Sequence, residues 1–342
     1  MSTAKFRTTD GVEYVVDCDP EATLLASAEE AGYLLVSSCH HGACGMCKSF
    51  LSEGRVRLAE HSYDALSPDE EEDGDVLLCC SHPLGDVVIE LPYDSSRVAS
   101  GKIPVRKVKI ETLDHWSGGV VRLVVKAEDD PELGSAIQFE SGQYAELALP
   151  GGEAPRAFSF ASVANWDGTA EFYIKLRENG YFSEYLRSYA KVGDELTLRG
   201  PQGSFGLHEN GPRPRWMVCG GTGLAPCMSM LRRMAEWGET QEALLILGVN
   251  TPDEVFAEDA LADLRAALPS LRTVVTVVHP DEAWTGAVGT AVNVLDAELG
   301  ARTPGSEAPD IYLSGPPAFL QAAGACIASH GIPGDQIYEE RI

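Results

Sequence analysis

The chain has 342 residues, with 26 Lys plus Arg against 52 Asp plus Glu, a formal net charge of −26. That balance excludes a general nucleic-acid surface, which needs cations to displace phosphate counterions, and a basic patch for anionic lipid. An apolar share of 44% excludes a largely disordered chain, and the length suits two or three domains with separate cores.

The opening MSTAKFRTTDG lacks the apolar stretch of a secretory signal, and no run approaches 18 apolar residues. A cytoplasmic protein without membrane insertion is expected. Nine cysteines, an odd number, suit a disulfide scaffold poorly, and five of them fall in two tight groups at 39/44/47 and 79/80.

Residues 1–98 form the first expected domain. FRTTDGVEYVVD reads as two strands about an Asp-Gly turn, and ATLLASAEEAGY has helical spacing with Leu24, Ala28 and Ala31 on one face. SSCHHGACGMC has neither period and reads as a loop. DVLLCCSHPLGDVVIELP reads as strand, loop, strand. This domain holds 19 acidic against 6 basic residues, densest at Asp69–Asp73, which reads as a solvated helix end or loop, or as a docking site for a basic partner.

Within that domain Cys39, Cys44 and Cys47 are spaced C-x4-C-x2-C, and Cys79 follows after 31 intervening residues. Four thiolates can hold a [2Fe–2S] cluster, and the local spacing matches the plant-type arrangement. Gly42 and Gly45 would let the backbone wrap the inorganic sulfurs. A zinc site would instead pair one C-x2–4-C with another. Cys79 and Cys80 are adjacent, and strand alternation leaves open which is the fourth ligand. His40, His41 and His61 read as exposed or loop histidines rather than ligands, because a Rieske-type centre would need a histidine-containing motif in place of four suitably placed thiolates.

After a linker at 98–104, residues 104–208 carry short alternating strands (VRKVKIETLDHW, GVVRLVVKA, GQYAELALP, AEFYIKL, DELTLRG), the pattern of a small antiparallel barrel. In RAFS, Arg156 suits a pyrophosphate, Phe158 could lie against a flavin and Ser159 could hydrogen-bond its ring. GYFS, from Gly180 to Ser183, opens a helix whose free amides suit phosphate. Both precede GPQGSF at 200–205.

Residues 212–342 alternate apolar strands with helices, the order of a parallel sheet covered on both faces. Gly220, Gly221, Thr222 and Gly223 follow the strand WMVC and open a helix, so pyrophosphate could approach closely. Between Asn250 and Leu261 there is no Lys or Arg, while Asp253 and Glu254 add negative charge; NADH is expected rather than NADPH. Ser314-Gly315-Pro316-Pro317 sits where a strand turns into a helix, a place for the nicotinamide.

Taken together and in order, the four cysteines, RAFS, GYFS, GPQGSF, GGTGLAP and YLSGPP resemble the reductase components of bacterial multicomponent oxygenases over about 4–342. SSCHHGACGMCK, SYDALSPDEEEDGDVLLC and GGTGLAPCMSM are most similar to reductases of soluble diiron methane, propane and alkene monooxygenases. The resemblance implies a ferredoxin-like β-grasp, an antiparallel β-barrel binding FAD and an α/β domain binding NADH. Electrons would then run from NADH through FAD to the [2Fe–2S] cluster and on to an iron-containing oxygenase. It places the fourth thiolate directly after VLL, hence Cys79. It puts Arg156, Phe158 and Ser159 on FAD, Ile174 and Lys175 on an adjoining strand, and Gly180 and Ser183 near the pyrophosphate, with Phe182 among the cofactor-binding residues. It assigns Gly315 and Pro316 to the nicotinamide side, with Ser314 and Glu340 beside the reacting rings. Two departures stand out: Ser314 where many relatives have Cys, and Glu340-Arg341-Ile342 where relatives end in an aromatic after Glu-Lys. A diiron hydroxylase is the expected partner of a monomeric reductase; a reductase for a Rieske-type aromatic-ring dioxygenase is the alternative.

Overall fold

The computed structural model describes residues 2–37, 40, 42–151, 155–209, 211–303 and 305–342. Two compact units emerge: Met1–Pro104 with Gln202–Ser204, and Val105–Pro201 with Phe205–Ile342.

In the first unit, alternation along Ser2–Arg7 buries Ser2, Ala4 and Phe6 on one face, as a half-buried strand requires. It pairs antiparallel with Glu13–Cys18 and parallel with Val87–Glu90, and the sheet continues through Lys48–Glu53 to Asp75–Leu77. The helix Leu24–Glu30 starts where the Thr23 side chain accepts from the Ala26 amide, and it lays Leu24, Leu25 and Ala28 on the sheet with Phe6, Leu77 and Ile89. Phe6 is fully buried, so Phe6→Ala would cost about 3–5 kcal/mol. This is the mixed α+β architecture expected of the ferredoxin-like domain. Ala99–Ser100, in the stretch read as linker, pairs with Tyr33–Leu34 and is tied to this unit. The acidic run folds as the short helix Pro68–Asp73, with a capping box between Ser67 and Glu70 and left-handed Gly74 closing it. None of its residues is buried.

The second unit holds two sheets. Arg156–Ser159, Tyr144–Ala148, Glu195–Gln202, Val105–Trp116, Val120–Ala127 and Thr169–Lys175 lie side by side in that order. Phe160, just past the first edge strand, bridges Phe172 on the last, so the sheet curls into a barrel around Val108, Leu123, Phe160 and Phe172.

The other sheet is parallel throughout, in the order Ala287–Val288, Leu271–Val277, Ala243–Val249, Arg215–Gly220, Asp310–Gly315, Ile337–Arg341. Its two-residue period sorts the helices. Met217, Cys219, Leu245 and Leu247 pack with helices Leu224–Trp237 and Glu258–Ala267. Trp216, Val218, Leu244 and Ile246 pack with helices Ala291–Gly300 and Pro317–Ser329. The chain order reverses between Arg215–Gly220 and Asp310–Gly315, which opens a crevice at their carboxyl ends. Among the described residues no helix is long and apolar enough to cross a membrane.

Candidate functional site

Three groups of residues named from the sequence occupy three local sites. Around the cysteines, Gly42 and Gly45 have φ of 75° and 72°, which bends the loop as only glycine does without strain. Cys44, Cys47 and Cys79 are buried. Cys47 Sγ lies 3.3 Å from Cys79 Sγ. Cys39 lies outside the described residues. Cys80 is also near, 3.7 Å from Cys79, but its sulfur is turned toward the Glu60 carbonyl at 3.9 Å. A Cβ on Gly42 would come within 2.6 Å of that sulfur, so the loop closes directly over Cys80. Three soft, buried thiols under a glycine-bent loop fit an iron–sulfur cluster. His40 and His61 lie in loops, half-buried. Tight packing of the loop explains it: His40 Nδ1 lies 3.7 Å from Glu29, and His61 Nδ1 lies 3.0 Å from the Ala59 carbonyl.

On the barrel, RAFS is itself the edge strand Arg156–Ser159, with Arg156 exposed and Ser159 buried. Phe158 rests against Phe182, ring centroids 5.2 Å apart. Gly180 caps the helix Tyr181–Ser188 with no side chain on its amides, and a Cβ there would sit 3.1 Å from Ser183 Oγ. That oxygen accepts from the Arg177 amide at 3.0 Å, which leaves its own proton to give. An exposed Arg, a partly open aromatic and an uncapped helix start fit a flavin nucleotide. Ile174 and Lys175 end the strand Thr169–Lys175, the other edge of the same sheet, whose Phe172 meets Phe160 just past RAFS. Ile174 packs inside the barrel. Lys175 Nζ reaches the Gly118 carbonyl at 2.6 Å and Glu254 at 3.1 Å.

Glu254 therefore faces a cation that the local sequence lacks. Its carboxylate also accepts from the Asn250 amide at 2.8 Å. Burial opposes that charge, but the amide and Lys175 outweigh it, and its pKa falls. With Lys175 held by Glu254, the segment still presents no spare positive charge to a 2′-phosphate.

At the crevice, Cys219 and Ser314 are register partners on adjacent strands, which brings the GGTG and SGPP turns together. Among the described residues nothing lies within 4 Å of a Cβ added at Gly220 or Gly221, so a cradle is open above them. The helix Leu224–Trp237 behind carries no side-chain cap. Exposed amides and room above them fit a pyrophosphate. Gly223 is different: a Cβ would lie 2.4 Å from the Ser314 carbonyl oxygen. Gly315 is likewise hemmed by Phe319, and Pro316 caps the helix Pro317–Ser329. Ser314 is fully buried with its Oγ lacking a hydrogen-bond partner among the described residues, and Glu340, 3% exposed, is its register neighbour on the last strand. Cys219 is fully buried; burial first, then neighbouring Cys227, pushes its thiol pKa well up, so it stays an inert thiol.

The sequence reading missed the residues that join barrel and crevice. Arg232, on the helix opened by GGTG, donates to the Ala161 carbonyl at 2.7 Å and to Glu171 at 2.6 Å. Ser229 Oγ donates to the Ser162 carbonyl at 2.5 Å. An Arg on an amphipathic helix reads as solvated, and no local signal marks it otherwise.

Three family models match the chain in the same order: a 2Fe-2S iron-sulfur cluster binding domain at residues 7–84, an oxidoreductase FAD-binding domain at 109–206 and an oxidoreductase NAD-binding domain at 217–324. Methane monooxygenase component C of Methylosinus trichosporium is 38% identical over 274 residues, 80% of each chain. The chain belongs to the reductase components of multicomponent oxygenases. Another relative of this reductase is the toluate 1,2-dioxygenase electron transfer component of Pseudomonas putida, 34% identical over 97% of this chain and 96% of the other. A solved structure, an Amycolatopsis cytochrome P450 reductase, covers 99% of the reductase and 98% of its own chain at a TM-score of 0.80 and 25% identity. The reductase is an NADH-dependent oxidoreductase with FAD and a [2Fe–2S] cluster.

Proposed function

We propose that this reductase delivers electrons from NADH to the diiron hydroxylase of a soluble hydrocarbon monooxygenase. The observation that carries the reading is the 38% identity with the methane monooxygenase component. Domains at 1–98, 104–208 and 212–342 hold the [2Fe–2S] cluster, FAD and NADH in turn. Bound FAD supplies the conversion of a two-electron hydride donor into single electrons that the cluster can carry.

The chain's own residues orient and insulate these groups. Cys39, Cys44, Cys47 and Cys79 ligate iron, with Cys80 packed behind the loop. Arg156 pairs with the flavin pyrophosphate, Phe158 and Phe182 wall the ring system, and Ser159 and Ser183 hydrogen-bond to the cofactor beside the uncapped Gly180. Ile174 and Lys175 contribute to the FAD site from the adjoining strand Thr169–Lys175. Gly220, Gly221, Thr222 and Gly223 receive the NADH pyrophosphate, while Gly315 and Pro316 shape the nicotinamide pocket. Ser314 supplies an otherwise unsatisfied hydroxyl to the nicotinamide, and Glu340 closes the flavin side. A monomer suits a donor that must dock and leave.

Product formation by purified reductase, NADH and a diiron hydroxylase, beside the same assay with a Rieske oxygenase, tests this reading. Turnover with the diiron component is expected. Turnover with the Rieske component alone would select the second reading, which rests on the 34% identity with the toluate dioxygenase component.

A further inference from the structure

On the face of the parallel sheet carrying helices Ala291–Gly300 and Pro317–Ser329, three side chains outside the redox path converge. Cys326 and His330 are four residues apart, so they share one side of a helix and its C-terminal cap. Asp296 faces them from the neighbouring helix. His330 Nε2 lies 2.7 Å from Asp296 Oδ1, and Cys326 Sγ lies 3.8 Å from the same oxygen. All three ligand atoms fall within 4.8 Å of one another.

We infer that Asp296, Cys326 and His330 form a binding site for a borderline-soft divalent metal ion of the zinc type. Tetrahedral zinc, with bonds of about 2.0 Å to N and O and about 2.3 Å to S, sets its ligand atoms roughly 3.3–3.7 Å apart. The separations here bracket that range, so side-chain rotation alone admits the ion. One oxygen, one nitrogen and one sulfur are the donor types zinc takes, and they exclude magnesium and calcium, which want oxygen. The ion would sit near a helix C-terminus, where the backbone dipole favours positive charge. Cys326 and Asp296 reach solvent, which leaves the fourth position to water. Binding replaces the Cys326 S–H bond by a metal–sulfur bond and releases that proton to solvent. Pro317 starts beside the SGPP turn, and His330 lies about 20 Å further along the helix axis. The ion therefore staples two helices at the end remote from the nucleotide crevice.

Zn2+ binding to the holoprotein, measured by competition with a chromophoric chelator, tests the site alongside thermal unfolding. Wild type should take up one equivalent that Cys326→Ser, His330→Gln and Asp296→Asn each weaken at least about 100-fold, since even second-layer losses cost 10–100-fold. Zn2+ should raise the Tm of wild type and leave that of each variant unchanged, with NADH–ferricyanide activity equal in all four. Undiminished zinc uptake in Cys326→Ser and His330→Gln would place the ion on other thiols and overturn the inference. So would the absence of uptake by wild type at tens of micromolar Zn2+.

Discussion

Arg232 Nη1 sits 2.6 Å from Glu171 Oε2, joining the helix that opens at the nucleotide loop to a strand of the flavin barrel. Glu171 is 7% exposed and also takes Arg122 at 2.6 Å, so one carboxylate serves two guanidiniums. The pair is asymmetric for that reason. Glu171→Leu leaves Arg232 with the Ala161 carbonyl and Arg122 with Asp114 alone, and should destabilise the second unit by about 3 kcal/mol, the scale of a buried pair losing one partner. Arg232→Met leaves Glu171 with Arg122 and should cost less than half as much. Urea unfolding of the two variants measures the difference, and equal losses would contradict it.

Cys79 and Cys80 separate by what each sulfur touches. Cys79→Ser should lose most bound iron and acid-labile sulfide, whereas Cys80→Ser should keep both. Gly42→Ala should behave like Cys79→Ser, because its new Cβ meets Cys80 Sγ at 2.6 Å with φ at +75°. Iron analysis of the three purified variants, with FAD content as the internal reference, checks the ordering.

Gly223→Ala would drive a methyl into the Ser314 carbonyl at 2.4 Å and part the two turns of the crevice. NADH-driven ferricyanide reduction should fall at least about 100-fold, the scale expected when a reacting group is misplaced by about 1 Å. FAD and iron content should stay at wild-type levels. Gly221→Ala, with open space at its Cβ but φ of +53°, should fall by a smaller factor.

Acid stability in the first unit has a named contributor. The Lys48 ammonium first, then the Ser67 amide, hold the Glu70 carboxyl down to about 2 from an ordinary value near 4.5. A depressed carboxylate stabilises the fold above its unfolded pKa and loses that contribution as pH falls from about 4.5 toward 2. The contribution is modest, since the pair is partly exposed at a Lys48 Nζ–Glu70 Oε1 distance of 2.6 Å. Glu70→Gln should flatten the acid limb of Tm against pH for this unit, together with a small loss at pH 7 from the broken cap.

Local patterns made much of the protein legible before any coordinates. Alternation in VRKVKIETLDHW and the apolar runs around Val218 and Ile246 announce strands of different kinds, because a half-buried strand has period two and a doubly covered one has none. The C-x4-C-x2-C spacing and the glycines of GGTG are legible because a cluster loop and a pyrophosphate turn are each built within a few residues. Their occurrence in one order carried the family resemblance.

Pairings across long separations were decided only by the tertiary structure. Gly42 closes over Cys80, and Cys79 lies beside Cys47. Lys175 meets Glu254, 79 residues away in sequence. Cys219 meets Ser314 because the strand order reverses between them, and Asp296 meets Cys326 and His330 because two helices share a sheet face. A sequence records which residues prefer a strand, a turn or a charge's company. Which of them become neighbours depends on strand order and helix packing, whose energies are summed over whole cores rather than written in any one segment.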